Sequence, residues 1–450
     1  MERDFDVAVI GSGSAGTSAA MALRKAGLSV AVIDERPFGG TCALRGCDPK
    51  KVLVAAARAL DAAAAYADRG IFDRAPQLNW ANLMQFKRTF TDPVPEKRVK
   101  TYEDAGIAAI RGQARFTGPQ ALAVDGDTVR ATHIVIATGA TELHVASGDD
   151  TLLTSETFLE LERMPQTLIF VGGGYIAFEL AHVASRAGAR VTMINDNDKP
   201  LHGFDPDAVE QLCETTRNAG IDVQLNTRVE RVEHTGKGIA LYAQTDSGTK
   251  VFEAENGVLA AGRIPDLDHL NLEAAGIERT KKGVKVNERL QSVSNPNVYA
   301  AGDCADGGGL PLTPVAGYEG EMVASNVLTA AGKKTDFTGL ASMVYTIPPL
   351  GQTGLTEAQA NEEHVDVEVR AGDMSDWYST RHLAAKSGFY KVVLEKQSGR
   401  ILGATIFGPH AEEQINVIAL AIRQGLPGRR LAETLFAYPT GSSDMEYFFG

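Results

Sequence analysis

Short apolar runs of strand length alternate along this chain with longer stretches in which apolar residues return at helical spacing. Residues 5–10 read as an apolar strand, 17–26 as a helix and 29–33 as a second strand, with Asp34 at its end. The same order returns later, with a strand at 167–171, a helix at about 176–187 and a strand at 190–194. Between the repeats lie an Ala-rich helical stretch, 52–67, and a more polar helical region, about 80–105. Alanine is the strongest helix former, so the first of these stretches needs no role beyond helix formation. A polar, Gly-containing stretch at 329–339 reads as a linker. The remainder predicts strands at 391–395 and 401–407 and a helix at about 411–424, the pattern of an α+β domain.

The glycines between each strand and helix sharpen this pattern. Gly11-Ser12-Gly13-Ser14-Ala15-Gly16 joins the first strand to its helix, and Gly172-Gly173-Gly174-Tyr175-Ile176-Ala177 joins the second pair. A G-x-G-x-x-G turn in this context is a dinucleotide fingerprint. Gly11 permits the tight turn, Gly13 admits a pyrophosphate and Gly16 lets the helix pack closely, while the helix N-terminus favours phosphate. Asp34, about twenty residues on, suits a ribose 2′-hydroxyl. Two such folds imply two dinucleotides or a duplication with one site lost, and the retained glycines favour the former. The fold class predicted is α/β, with two Rossmann-like dinucleotide-binding domains and a C-terminal α+β domain. The boundaries fall at 1–147 with 264–335, at 148–263, and at 336–450.

With 450 residues there is room for about three domains. The longest apolar runs fall short of the roughly 18 residues of a membrane helix, so no membrane partner is expected. A net charge of −13 argues against nonspecific nucleic-acid binding. The charged opening residues, 1–6, lack the basic and apolar regions of a signal peptide, so the expected location is the cytoplasm. The chain has 4 cysteines, too few for a structural disulfide framework.

Two of the cysteines fall in Gly39-Gly40-Thr41-Cys42-Ala43-Leu44-Arg45-Gly46-Cys47-Asp48-Pro49-Lys50-Lys51. A close dithiol after a dinucleotide fold suggests two-electron redox chemistry. Arg45, Lys50 and Lys51 make the segment electropositive, which favours thiolate and attack on a disulfide, although Asp48 opposes them. Pro49 marks the start of a helix whose N-terminus acts in the same sense. The alternatives are a zinc site and an incidental pair; zinc would need two more close ligands, and Cys213 and Cys304 are remote in sequence. Two shorter signals support a large cofactor: a strand at 134–136 ending in Ala137-Thr138-Gly139, and Ala301-Gly302-Asp303, whose carboxylate could bond a polyol.

The Gly-Gly-Thr-Cys-x4-Cys-x-Pro-x-Lys run resembles the signature of the class I pyridine nucleotide–disulfide oxidoreductases. That family includes glutathione reductase, dihydrolipoamide dehydrogenase and mercuric reductase. The resemblance extends in order through both fingerprints, Thr138-Gly139, Gly262-Arg263-x-Pro265, Gly302-Asp303, Leu312-Thr313-Pro314-Val315-Ala316 and Gly354-Leu355-Thr356-Glu357. It implies FAD on the first fold, NADPH or NADH on the second and a homodimer. It implies Cys42 as the interchange thiol, Cys47 as the charge-transfer thiolate against the flavin, Lys51 near the flavin edge with Glu179 as its ion-pair partner, and Tyr175 as a gate. Cofactor contacts are implied for Gly11, Gly13, Ser14, Ala15, Gly16 and Asp34, and for Gly40, Thr41 and Lys51. They are implied also for Thr138, Gly139, Gly172, Gly174, Tyr175, Ile176 and Asn195, and for Gly262, Arg263, Gly302, Asp303, Thr313 and Pro314. Metal ligands are not expected.

The chain departs from the family near its end. Tyr438-Pro439-Thr440-Gly441-Ser442-Ser443-Asp444 stands where disulfide reductases have His-Pro-Thr-x-x-Glu, so Tyr438 replaces the acid–base histidine and Ser443 its glutamate. An unperturbed tyrosine is a poor general base at neutral pH but can donate a proton or bind a ligand. A tyrosine here, and Cys304 after Ala-Gly-Asp, resemble mercuric reductase, whose C-terminal vicinal cysteines are missing. Asn195 at the second fold's strand end is not acidic and favours NADPH over NADH, although Asp196 follows it. The expected function is an FAD-dependent NAD(P)H oxidoreductase passing electrons through Cys42 and Cys47 to a small-molecule disulfide or other acceptor. A mercuric-type metal-ion reductase and a flavin-bearing redox sensor are the alternatives.

Overall fold

A computed structural model describes residues 2–329 and 332–450. The chain forms two compact units, one of Met1–Lys50, Gln85–Leu143 and Gly262–Asp336, the other of Lys51–Met84, His144–Ala261 and Phe337–Gly450.

The first unit is built on a sheet in the order Ala108–Arg111, Val30–Asp34, Glu2–Ile10, Asp127–Ile136, Ala121–Val124, Ala114–Gly118. Val298–Ala300 also pairs with Asp127–Ile136. The central strands are parallel, with Val9 opposite Val32 on one side and Val135 on the other. Residues 7–10 are all buried, as expected of a strand covered on both faces. Alternate residues serve different cores. Ala8, Ile10, Ile134 and Ile136 join one cluster, and Val7, Val9, Val32 and Val135 join another. The helix Ser14–Lys25 packs so tightly on Thr313–Leu328 that a Cβ at Gly320 would stand 2.3 Å from the Ala15 carbonyl oxygen.

The second unit holds a parallel sheet ordered Asp222–Gln224, Arg190–Ile194, Thr167–Val171, Asn256–Leu259. Its helix Tyr175–Arg186 is buried along most of its length. The unit also contains a three-stranded antiparallel sheet and a five-stranded antiparallel one. The latter runs Ala341–Val344, Leu350–Gly354, Ile401–Phe407, Phe389–Glu395, Val367–Asp373, with helix Ala411–Arg423 packed against it.

The α/β class with an α+β C-terminal part is therefore as the sequence predicts. The polar helical region is two helices, Trp80–Thr91 and Val94–Ala105, because Pro93 caps the second and cannot continue the first. The C-terminal part has more short helices than expected, among them Glu357–Glu362, Tyr378–Arg381 and Met445–Phe449. Within the proposed linker, 332–339 carries no helix or strand, and Ala330 and Ala331 lie outside the described residues. No described helix is long and apolar enough to cross a membrane.

Candidate redox site

The first glycine turn is a cradle that side chains would fill. A Cβ at Gly11 would meet the Ala137 carbonyl oxygen at 2.2 Å, and one at Gly16 the Gly11 oxygen at 2.0 Å. Gly13 faces Gly40 across the turn, and a Cβ on Gly40 would stand 2.3 Å from the Gly13 Cα. Ser14 and Ala15 open the helix whose free N–H groups lie at this turn. The Thr138 hydroxyl, before Gly139, is buried and has no hydrogen bond of good geometry among the described residues, although the Cys304 thiol is near it. A buried orphan hydroxyl, an approachable backbone and a free helix end fit a bound dinucleotide.

Asp34 is held in a network the sequence did not announce. Its Oδ2 accepts from the Ser12 amide at 2.8 Å and the Ser12 hydroxyl at 2.6 Å, and its Oδ1 accepts from the Arg36 amide at 2.8 Å. The fully buried Ser12 hydroxyl in turn accepts from the Gly39 amide at 2.9 Å. Ser12 thus ties the Asp34 carboxylate to the start of the cysteine segment.

That segment folds as two helices, Gly40–Arg45 and Cys47–Ala67, separated by Gly46. Thr41 and Cys42 lie in the first, and Cys47, rather than Pro49, opens the second. The pair is held as thiols. Thr313, the first residue of its helix ahead of Pro314, donates to the Cys42 sulfur at 3.1 Å, and the Cys47 sulfur lies 3.5 Å from the same oxygen. The Cys42 sulfur also lies 3.8 Å from Asp48 Oδ1. The expectation that flanking basic residues favour a Cys42 thiolate is corrected by this geometry. The hydrogen bond to Cys47, then burial, then the charge of Asp48 push the Cys42 thiol up, with Thr313 opposing them. Burial pushes the Cys213 and Cys304 thiols up to about 11.

In the same unit Gly302 and Asp303 follow Val298–Ala300. Burial holds the Asp303 carboxyl above its usual range, against the pull of Arg263. Arg263 is on a strand that pairs with Ala140–Glu142, where its side chain bonds the Ala140 carbonyl oxygen. Gly262, at φ 139°, precedes it. Beneath Gly302, Glu319 is 2 % exposed and accepts the Gly302 amide at 2.7 Å. Burial pushes Glu319 up to about 7, and Asp303 adds to the shift.

In the second unit a Cβ on Gly172 would meet the Ala260 oxygen at 2.2 Å, whereas Gly174 opens on empty space before Tyr175 and Ile176 start the helix. Tyr175 is 37 % exposed. Asn195 follows strand Arg190–Ile194 with its side-chain amide donated to the Asn197 carbonyl at 3.0 Å, and Asp196 beside it is exposed. The Lys51 ammonium lies 2.5 Å from Glu179 Oε2, with side-chain exposures of 31 % and 1 %. Tyr438 is 77 % exposed and stacks on Tyr378 with ring centroids 6.1 Å apart. Ser443 completes a capping box with Thr440 instead of reaching the residue at 438.

Sequence reasoning missed Ser12, Glu319 and Tyr345. Only Ser12 carried a signal, as the polar residue inside the first glycine turn.

Comparison with known proteins gives two family matches: "Pyridine nucleotide-disulphide oxidoreductase" over residues 5–320 and its dimerisation domain over 340–447. Mercuric reductase of Staphylococcus aureus is 32 % identical over 445 residues, covering 98 % of this chain and 81 % of that protein. Glutathione reductase of Burkholderia cepacia is 31 % identical over 440 residues, covering 97 % and 96 %. Among solved structures, the Cu(II) complex of the HOCl-induced flavoprotein disulfide reductase RclA of Escherichia coli superposes with a TM-score of 0.88 at 27 % identity, covering 99 % of both chains.

Proposed function

The chain belongs to the pyridine nucleotide-disulphide oxidoreductase family, and on that premise we propose that Cys42 and Cys47 are its redox-active centre. It is an FAD-dependent NAD(P)H oxidoreductase of the flavoprotein disulfide reductase kind. The observation that carries the proposal is the Thr313 hydroxyl within reach of both sulfurs, which keeps them paired at one helix end.

When bound, FAD supplies the two-electron chemistry between the nicotinamide and the sulfurs. Gly11, Gly13, Ser14, Ala15 and Gly16 would hold its pyrophosphate, Asp34 its ribose and Asp303 its polyol, and Thr138 would offer its buried hydroxyl. Lys51, anchored by Glu179, would present a cation to the flavin edge, and Tyr175 would cover the nicotinamide position. Cys47 would be the sulfur on the flavin side. Cys42 meets the acceptor as a thiol and attacks, its proton passing to the substrate thiolate that leaves. With a disulfide acceptor, one S–S bond breaks in the substrate and one forms between Cys42 and Cys47. Two substrate thiols leave, and NAD(P)H and a proton restore the dithiol.

The preferred acceptor is a low-molecular-weight disulfide. Asn195 supports NADPH as donor, but exposed Asp196 and Asp198 oppose a 2′-phosphate, so the preference over NADH is within about tenfold in kcat/KM. The dimerisation-domain match and the apolar Leu420 and Leu435, 61 % and 100 % exposed, support a homodimer.

Anaerobic titration of the flavin-loaded protein with NADPH and NADH, followed by a panel of disulfides, quinones and metal ions, tests the reading. A long-wavelength thiolate–flavin band abolished by Cys47→Ser, and disulfide turnover abolished by Cys42→Ser, are expected. A band that survives Cys47→Ser overturns the assignment.

A further inference from the structure

Three segments of the second unit meet around Lys51. The helix Tyr175–Arg186 carries Tyr175, Glu179, His182 and Arg186 at spacings of four, three and four, which places them along one face. The helix that begins at Cys47 brings Lys51 to Glu179 and, further on, Asp61 to Arg186 at 2.8 Å. The third segment follows strand Ala341–Val344, and two of its backbone amides, those of Tyr345 and Ile347, donate to this face.

Glu179 uses both oxygens. Oε2 holds the Lys51 ammonium at 2.5 Å and Oε1 accepts the Tyr345 amide at 2.9 Å. The Lys51 nitrogen also sits 3.9 Å from the centroid of the Tyr345 ring. The ammonium is therefore bounded on two sides, by a buried carboxylate and by an aromatic face that attracts a cation. Two residues on, the Ile347 amide donates to His182 Nδ1 at 3.2 Å. His182 is fully buried, and burial first, then the charge of Arg186, keeps it neutral. With Nδ1 accepting, the proton is on Nε2, which donates to the Thr216 hydroxyl at 3.0 Å; that hydroxyl passes its own hydrogen to the Leu212 carbonyl at 2.7 Å. The imidazole is thus fixed in one tautomer and pins the segment behind Tyr345.

We propose that Tyr345 is a positioning residue for Lys51, its ring face holding the ammonium against Glu179 while its amide and the His182-pinned Ile347 fix the ring in place. This rests on the reading of Lys51 as the cation at the flavin edge. Charge alone would let a long, flexible ammonium pivot about the carboxylate; the ring face adds a second contact that limits this freedom. The phenolic oxygen is not required, so phenylalanine should serve equally well.

The test uses Tyr345→Phe, Tyr345→Leu and, should Leu fold poorly, Tyr345→Met, with thermal melting as the check on folding. Trace acetylation of Lys51 with acetic anhydride, read by peptide mass spectrometry on flavin-free and flavin-loaded protein, reports whether the amine is held. Stopped-flow reduction by NADPH or NADH reports on the chemistry. Labelling of Lys51 at least fivefold faster in the Leu or Met protein, with rescue by Phe, is expected, together with about tenfold slower flavin reduction. Unchanged labelling in a folded Leu or Met variant overturns the proposal, as does failure of Phe to rescue. Faster labelling with unchanged reduction upholds the positioning and removes Lys51 from the flavin edge.

Discussion

Thr313 donates its hydroxyl hydrogen to the Cys42 sulfur across 3.1 Å, from a helix start 271 residues away along the chain. The bond works against the other influences on Cys42, all of which keep its proton on. A hydrogen bond to a charged group contributes about 1.5–3 kcal/mol. Thr313→Val keeps the shape and removes that bond. Its Cys42 should react with iodoacetamide only at higher pH than in the reduced wild-type protein, and disulfide turnover should fall about tenfold or more. An unshifted alkylation profile would mean the hydroxyl does nothing for the thiol.

Ser12→Ala tests the link between the Asp34 carboxylate, the proposed ribose ligand, and the cysteine segment. Removal of the hydroxyl leaves the Gly39 amide, buried and bonded at 2.9 Å, without its acceptor, and takes one of the two Ser12 donors from Asp34. An orphaned buried amide costs about 1–3 kcal/mol. The protein should melt earlier and hold FAD more weakly, a loss visible as released flavin fluorescence on dilution. Equal flavin retention in mutant and wild type would place Asp34 outside the binding site.

Tyr438→His places an imidazole on the exposed ring position that stacks on Tyr378. The side chain is largely open to solvent, so the substitution alters little packing beyond the stack on Tyr378. If this segment serves the interchange thiol, kcat with a low-molecular-weight disulfide should rise and its pH profile should gain an ionisation near about 6.5. The Ser443 side chain, committed to the Thr440 cap, cannot replace the missing glutamate, so the gain should be partial. A pH profile identical to wild type would separate Tyr438 from proton transfer.

The glycine turns and the cysteine pair were legible because each is a local demand. Gly11 and Gly172 stand where a Cβ would strike a carbonyl oxygen, and no other residue type satisfies that backbone. Glu319 and Tyr345 were not legible and Ser12 showed only as a polar residue in the glycine turn, because their roles come from bonds to Gly302, Glu179 and Asp34 at separations of 17, 166 and 22 residues. The protonation of Cys42 is a related case. The sequence sets Arg45, Lys50 and Lys51 against Asp48, and the fold decides between them by committing Lys51 to Glu179 and bringing Asp48 within 3.8 Å of the Cys42 sulfur.

Glu319 supplies a pH dependence with a definite sign. Its folded-state value of about 7 lies above the ordinary 4.5, so the native chain holds this proton more tightly than the unfolded one. Stability is therefore greatest below the unfolded value, falls as pH rises between the two, and levels off above the folded one. The loss across that window is up to about 3 kcal/mol, because each tenfold difference in proton affinity between the folded and unfolded chain is equivalent to about 1.4 kcal/mol. Glu319→Gln keeps an oxygen for the Gly302 amide and removes the titration. Between about pH 5 and pH 8, the melting midpoint of the wild type should fall by a few degrees more than that of Glu319→Gln, with flavin-free protein used for both. Parallel curves for the two proteins would show that Glu319 is already ionised at the lower pH. The carboxyl beneath Gly302 would then be a charged anchor for the Asp303 loop, not a neutral one.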